Sequence, residues 1–121
     1  ITWKYEPCLW IFFGRNPCGG KKKNNHPLDG RPEHTDSVQH DGTWHYQLSG
    51  QKLWYLRPTC KLLDHWKQQQ NNNNQLLSSI DESTQFSVDC QQGDILLINT
   101  RIWFHQTVLP PQNVPSVSYA R

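Results

Sequence analysis

Residues 43–57 read TWHYQLSGQKLWYLR, two runs of alternating character on either side of Ser49-Gly50-Gln51. Aromatic, β-branched and alternating residues suit a pleated surface, and a glycine-centred turn between two such runs predicts a β-hairpin of residues 43–49 and 52–57. Pro58 ends it. Short strand signals continue outward in both directions. Residues 8–14, CLWIFFG, form a nearly continuous apolar run between Pro7 and Gly14 and predict a buried strand. Residues 85–90 alternate, 91–94 supply a turn, and 95–98 (ILLI) predict a fully buried strand. Residues 103–108 and 115–119 predict further strands, separated by the turn-rich segment 110–113. Thr59 is a suitable N-cap for a short helix through Lys67, with Leu62, Leu63 and Trp66 at helical spacing. Residues 16–30 are rich in Gly, Pro, Asn and Lys and predict a loop, while QQQNNNNQ at 68–75 predicts a solvated low-complexity insertion. Many short strands with one helix place the chain in the all-β class, as an antiparallel sandwich or barrel.

The 121 residues hold one domain with a modest core, residues 1–121, and leave no room for a second. Twelve Lys and Arg against ten Asp and Glu give a formal charge of +2. The basic run Lys21-Lys22-Lys23 falls in the loop and no basic stripe follows an element, so nucleic acid is not indicated. No apolar run approaches the length of a membrane span and nothing resembles a signal peptide. Cys8, Cys18, Cys60 and Cys90 form no CxxC pair and read as free thiols of a reducing compartment, which implies an intracellular protein, cytoplasmic or nuclear. The start at Ile1 without an initiator Met and the strand character up to the last residues are those of a piece of a longer chain.

Upstream of the central runs stands His34-Thr35-Asp36. In a strand, residues i and i+2 share a face, so an imidazole and a carboxylate stand side by side as two ligands of a facial metal site. The third ligand must come from elsewhere, and His105 in RIWFHQ is the best candidate because it lies on a later strand beyond GDILLI. Two histidines and one carboxylate leave open positions on a metal, the arrangement of non-haem Fe(II) oxygenases. His40, His45 and His65 read as polar surface or wall residues. Arg57 and Arg121 read as pairing with solvent or with a nearby acid. Trp10, Phe12, Trp44, Trp54, Tyr55, Trp103 and Phe104 read first as barrel core, with the lining of a peptide channel as the second reading for some of them.

Taken together and in this order, HTD at 34–36, TWHYQLSG, Lys52 and GDILLINTRIWFHQT resemble the HxD, G-x-K and GD…W-x-H segments of the Jumonji C hydroxylases. The resemblance covers about residues 7–120, with the cupin-like branch that includes the asparaginyl hydroxylase inhibiting hypoxia-inducible factor closest in pattern. It implies a double-stranded β-helix, the cupin jelly roll, and an Fe(II)- and 2-oxoglutarate-dependent oxygenase that uses O2 to hydroxylate a protein or peptide side chain. By position, His34, Asp36 and His105 match the iron ligands. Lys52 matches the lysine that pairs with the distal carboxylate of 2-oxoglutarate, and Thr43 and Ser118 match polar positions facing the co-substrate. Two places depart from the pattern. Arg31 stands where close relatives of that hydroxylase have Thr, and Asn99-Thr100-Arg101 follow Ile98 where the family has Ile-Pro. Two alternatives stand beside the enzyme: a catalytically silent cupin-like binding domain, and a metal-dependent cupin enzyme that does not use 2-oxoglutarate.

Overall fold

The computed structural model describes residues 8–18, 26–39, 41–69 and 78–121. Most of the Gln/Asn tract, part of the predicted loop and His40 lie outside the described residues. Among the described residues, eight strands and a helix follow in the order β1 (Trp10–Gly14), β2 (Leu28–Asp29), β3 (Thr43–Ser49), β4 (Lys52–Pro58), α1 (Cys60–Gln69), β5 (Phe86–Cys90), β6 (Ile95–Ile98), β7 (Trp103–Leu109) and β8 (Ser116–Ala120). They form two four-stranded sheets with the orders β1-β8-β3-β6 and β2-β7-β4-β5. Every pairing is antiparallel. The all-β, antiparallel expectation therefore holds. The chain passes from one sheet to the other at nearly every connection, and only β4 and β5 are successive strands of the same sheet.

That alternation overturns the predicted hairpin. β3 pairs with β8 and β6, whereas β4 pairs with β7 and β5. The two runs are separated at the corner by Gly50, whose φ of 66° lies in the left-handed region. A later loop holds this corner open. Gln51 N donates to Gln112 Oε1 at 2.7 Å, Gln112 Nε2 donates to Gln51 O at 2.9 Å, and Ser49 Oγ donates to Pro115 O at 2.9 Å. With both edges of each strand already hydrogen-bonded to distant partners, the local pairing has no free edge to use.

The inward face of the first sheet is polar. His45 and Gln47 of β3 and Ser116 and Ser118 of β8 are buried, while Leu48 is exposed. Trp44 packs edge-on against Tyr119 at 5.4 Å on the opposite face, as does Tyr46 at 5.4 Å. The core sits mainly on the other side of the interior, where Trp54, Leu56, Cys90 and Ile98 are buried against Phe86, Val88, Leu96 and Trp103. Trp54 and Trp103 are thus core as expected, and Trp44 and Trp10 are not.

Two further expectations change. The 8–14 run is no buried strand: Trp10, Ile11 and Phe13 of β1 are 60%, 70% and 71% exposed. β1 is an edge strand paired on one side with β8, so its side chains have few neighbours. Only part of ILLI is buried, with Ile98 at 6% and Leu97 at 73% exposure. Alternation wins over composition here, because successive residues of a strand must face opposite sides.

Helix α1 starts as predicted. Thr59 Oγ1 accepts from Leu62 N at 3.3 Å and donates to Ile102 O at 2.8 Å, tying the N-terminus to the loop before β7. Leu62 and Leu63 are buried and Trp66 packs on Trp103 at 5.8 Å. No disulfide joins the four cysteines, and burial raises the pKa of the Cys90 thiol.

Candidate metal centre

His34 and Asp36 do not lie on a regular strand. His34 makes a single antiparallel bridge to His105, with N···O distances of 3.1 and 2.9 Å. Pro32, two residues earlier, has no N–H and cannot extend that ladder. Asp36 N donates to Thr100 O at 2.9 Å. These backbone bonds keep residues 34–36 extended, so the i and i+2 side chains still share a side.

The bridge brings together residues far apart in the chain. His34 Nε2 lies 3.4 Å from Asp36 Oδ1, and His105 Nε2 lies 3.6 Å from Asp36 Oδ2. The two imidazole centroids are 4.3 Å apart, and one donor atom from each of the three residues falls within 4.8 Å of the others. Neighbouring ligands on a metal with bonds of about 2.1 Å are about 3 Å apart, so small side-chain movements suffice to close the set.

The tautomers suit a metal as well. His34 Nδ1 faces Pro32 O at 2.7 Å and His105 Nδ1 faces Trp103 O at 3.2 Å. A carbonyl can only accept, so in both rings Nδ1 carries the proton and Nε2 presents its lone pair to the centre. Burial lowers the pKa of His105, further favouring the neutral ring that a metal needs. The donor set of two imidazole nitrogens and one carboxylate fits a divalent first-row metal with open positions.

Lys52 lies on the inward face of β4 and is 6% exposed. Its Nζ donates to Ser118 Oγ and stands over the rings of Phe12 at 4.9 Å and Trp54 at 5.9 Å. No carboxylate pairs with it among the described residues, and burial lowers its pKa from 10.5 to about 8. The ammonium therefore lacks a counter-ion. His34, Asp36, His105, Thr43 and Lys52 all line one open cavity of about 1470 Å³.

The other sequence-selected residues fall as follows. Thr43 is half-buried and its hydroxyl lies 3.5 Å from that of Thr100. Ser118 is 1% exposed and its hydroxyl accepts from Lys52 Nζ. Arg31 places Nη1 3.9 Å from Asp36 Oδ1 and is largely exposed, a weak pair in water. Arg57 pairs with Glu33 through two bonds of 2.9 Å, as expected of a residue meeting a nearby acid. His65 is exposed on α1, 3.0 Å from Gln69 Nε2.

Sequence reasoning missed one contributor. Thr100 is 1% exposed and carries the carbonyl that fixes Asp36. Its signal was the Asn99-Thr100-Arg101 departure, now a turn in which Asn99 O accepts from Ile102 N and Trp103 N, both at 3.2 Å. Trp54, expected first as core, also places its ring 6.0 Å from that of His105 and 4.7 Å from that of His45. Comparison of the chain with protein-family models, with curated proteins and with solved structures finds no match.

Proposed function

We propose that this chain is an Fe(II)- and 2-oxoglutarate-dependent oxygenase of the Jumonji C type, built on a double-stranded β-helix and acting on a protein side chain. The observation that carries this reading is the pairing of a His34, Asp36 and His105 set with a buried Lys52 that has no carboxylate partner among the described residues, all lining one cavity. A metal site alone would suit many cupins. A buried cation beside it calls for an anionic ligand with a second charge beyond the metal. The chain's alternation between two four-stranded sheets supports the jelly-roll part of the reading.

The residues divide the work. His34, Asp36 and His105 would hold the iron, leaving positions for the 2-oxo acid end of the co-substrate and for O2. Bound iron would supply oxidative decarboxylation of 2-oxoglutarate to succinate and CO2, coupled to insertion of oxygen into a substrate C–H bond. Lys52, braced by Ser118, neutralises the distal carboxylate. Trp54 and Phe12 wall the space beside it and keep water from the ammonium. The open mouth of the cavity admits a protruding side chain.

Anaerobic loading with Fe(II) followed by 2-oxoglutarate tests the proposal. The expected result is a visible metal-to-ligand charge-transfer band in the wild type, lost in Asp36→Ala and in His105→Ala. A wild-type protein without the band refutes the function. A band retained when both ligands are replaced refutes the residue assignment. Lys52→Ala should weaken 2-oxoglutarate far more than iron.

A further inference from the structure

The polar wall of the cavity contains one group that the proposed function leaves unused. His45 on β3 is 9% exposed, and neither of its ring nitrogens has a hydrogen-bond partner among the described residues. A buried, unmet nitrogen is costly, and native interiors rarely keep such a group without a use. The register explains why it lacks a partner. His45 stands opposite Ala120 on β8 and Leu96 on β6, and neither side chain has a polar atom.

Its surroundings indicate what would satisfy it. The ring packs on Trp54 at 4.7 Å and on Phe12 at 5.9 Å, the two aromatic rings that also flank Lys52 Nζ. Gln47, two residues along the same face, is opposite Ser118, the acceptor for Lys52. Trp54 also reaches the His105 ring, at 6.0 Å. His45 therefore shares the Trp54 ring with both Lys52 and the candidate ligand His105, and it lines the same cavity.

We propose that His45 is a further binding residue for the dicarboxylate co-substrate, donating a ring N–H to the carboxylate that Lys52 holds; this rests on the 2-oxoglutarate reading above. Burial, together with the field of Lys52, lowers the imidazole pKa to about 4, so the ring is neutral and offers one donor and one acceptor. A neutral donor beside Lys52 adds a hydrogen bond to an anion without adding repulsion between cations. Ala120 and Leu96 cannot compete for it. Because His45 and Lys52 share the Phe12 and Trp54 rings, a carboxylate held by Lys52 meets His45 as well, and His45 selects for a ligand with that second carboxylate.

Calorimetry on the Mn(II)-loaded protein tests this without relying on turnover. His45→Phe keeps a ring of similar size against Trp54 and removes both nitrogens, and His45→Leu serves as a second apolar replacement. Since the change removes unmet polar atoms from the interior, neither variant should melt below the wild type. The dissociation constant for 2-oxoglutarate should rise about tenfold, as expected for one hydrogen bond to a charged group. Affinity for Mn(II), and for oxalate, which chelates the metal but has no distal carboxylate, should stay within twofold. Unchanged 2-oxoglutarate binding in the variants, or an equal loss for oxalate, overturns the role of His45 and leaves the proposed function standing. A wild-type protein that binds Mn(II) but no 2-oxoglutarate overturns both.

Discussion

Replacing Lys52 by methionine should make the protein more stable at neutral pH while removing the anchor for its proposed co-substrate. Lys52 is 6% exposed, and burial brings its pKa from the ordinary 10.5 down to about 8. At pH 7 the folded protein must therefore keep a charge that its interior disfavours by about 3 kcal/mol, at 1.36 kcal/mol per pKa unit. Methionine is of similar length and carries no charge. Against the gain stand the hydrogen bond to Ser118 and the contact with Phe12, which together contribute about 1–2 kcal/mol. The net expectation is a variant more stable by about 1–2 kcal/mol, or about 4–8 °C in Tm for a domain of this size.

The pH dependence gives the sharper test. Below pH 8 Lys52 is charged in both states, so the full penalty is present. Between pH 8 and 10.5 the unfolded chain binds the proton and the folded protein does not, so wild-type stability rises with pH relative to the variant. Above 10.5 both states are neutral and the penalty has gone. Urea unfolding of both proteins at pH 7 and at pH 10.5 should show the variant's advantage falling by about 3 kcal/mol. A difference that is flat with pH, or a variant less stable at pH 7, refutes the reasoning that the charge is buried without compensation.

In the metal-loaded protein, 2-oxoglutarate affinity should be steady below about pH 8 and weaken about tenfold per unit above it, until the raised pKa of the complex is reached. Lys52→Ala should abolish that slope in the same titration. Gly50→Ala should destabilise by about 2 kcal/mol in urea unfolding, because φ is +66° and a Cβ there would meet Pro115 O at 2.8 Å. Thr59→Ala should lower stability by about 1 kcal/mol, since it removes the N-cap of α1 and the bond to Ile102 O. Circular dichroism melts read that loss, and an unchanged Tm would show that the cap is idle.

Local pattern determined where the strands lie and what they could carry. The alternation of TWHYQLS, KLWYLR and FSVDC located β3, β4 and β5 to within a residue or so, and Thr59 marked the start of α1, because period and capping are written in neighbouring residues. The i and i+2 spacing of His34 and Asp36 likewise placed two donors on one side, even though the segment proved to be a bridge and not a strand. Tertiary structure alone decided which strands pair and which face turns inward. TWHYQLS has aromatics on one side and His45 and Gln47 on the other; either face could have been the interior, and the pairing of β3 between β8 and β6 turned the polar one inward. The hairpin failed for the same reason: pairing depends on distant edges, and β7, β8 and the Gln112 loop took the bonds that a local turn would have made. His105 joined His34 through that long-range pairing. The depth of Lys52 and the unmet nitrogens of His45 follow from it as well, since burial is a property of neighbours that lie far off in the chain.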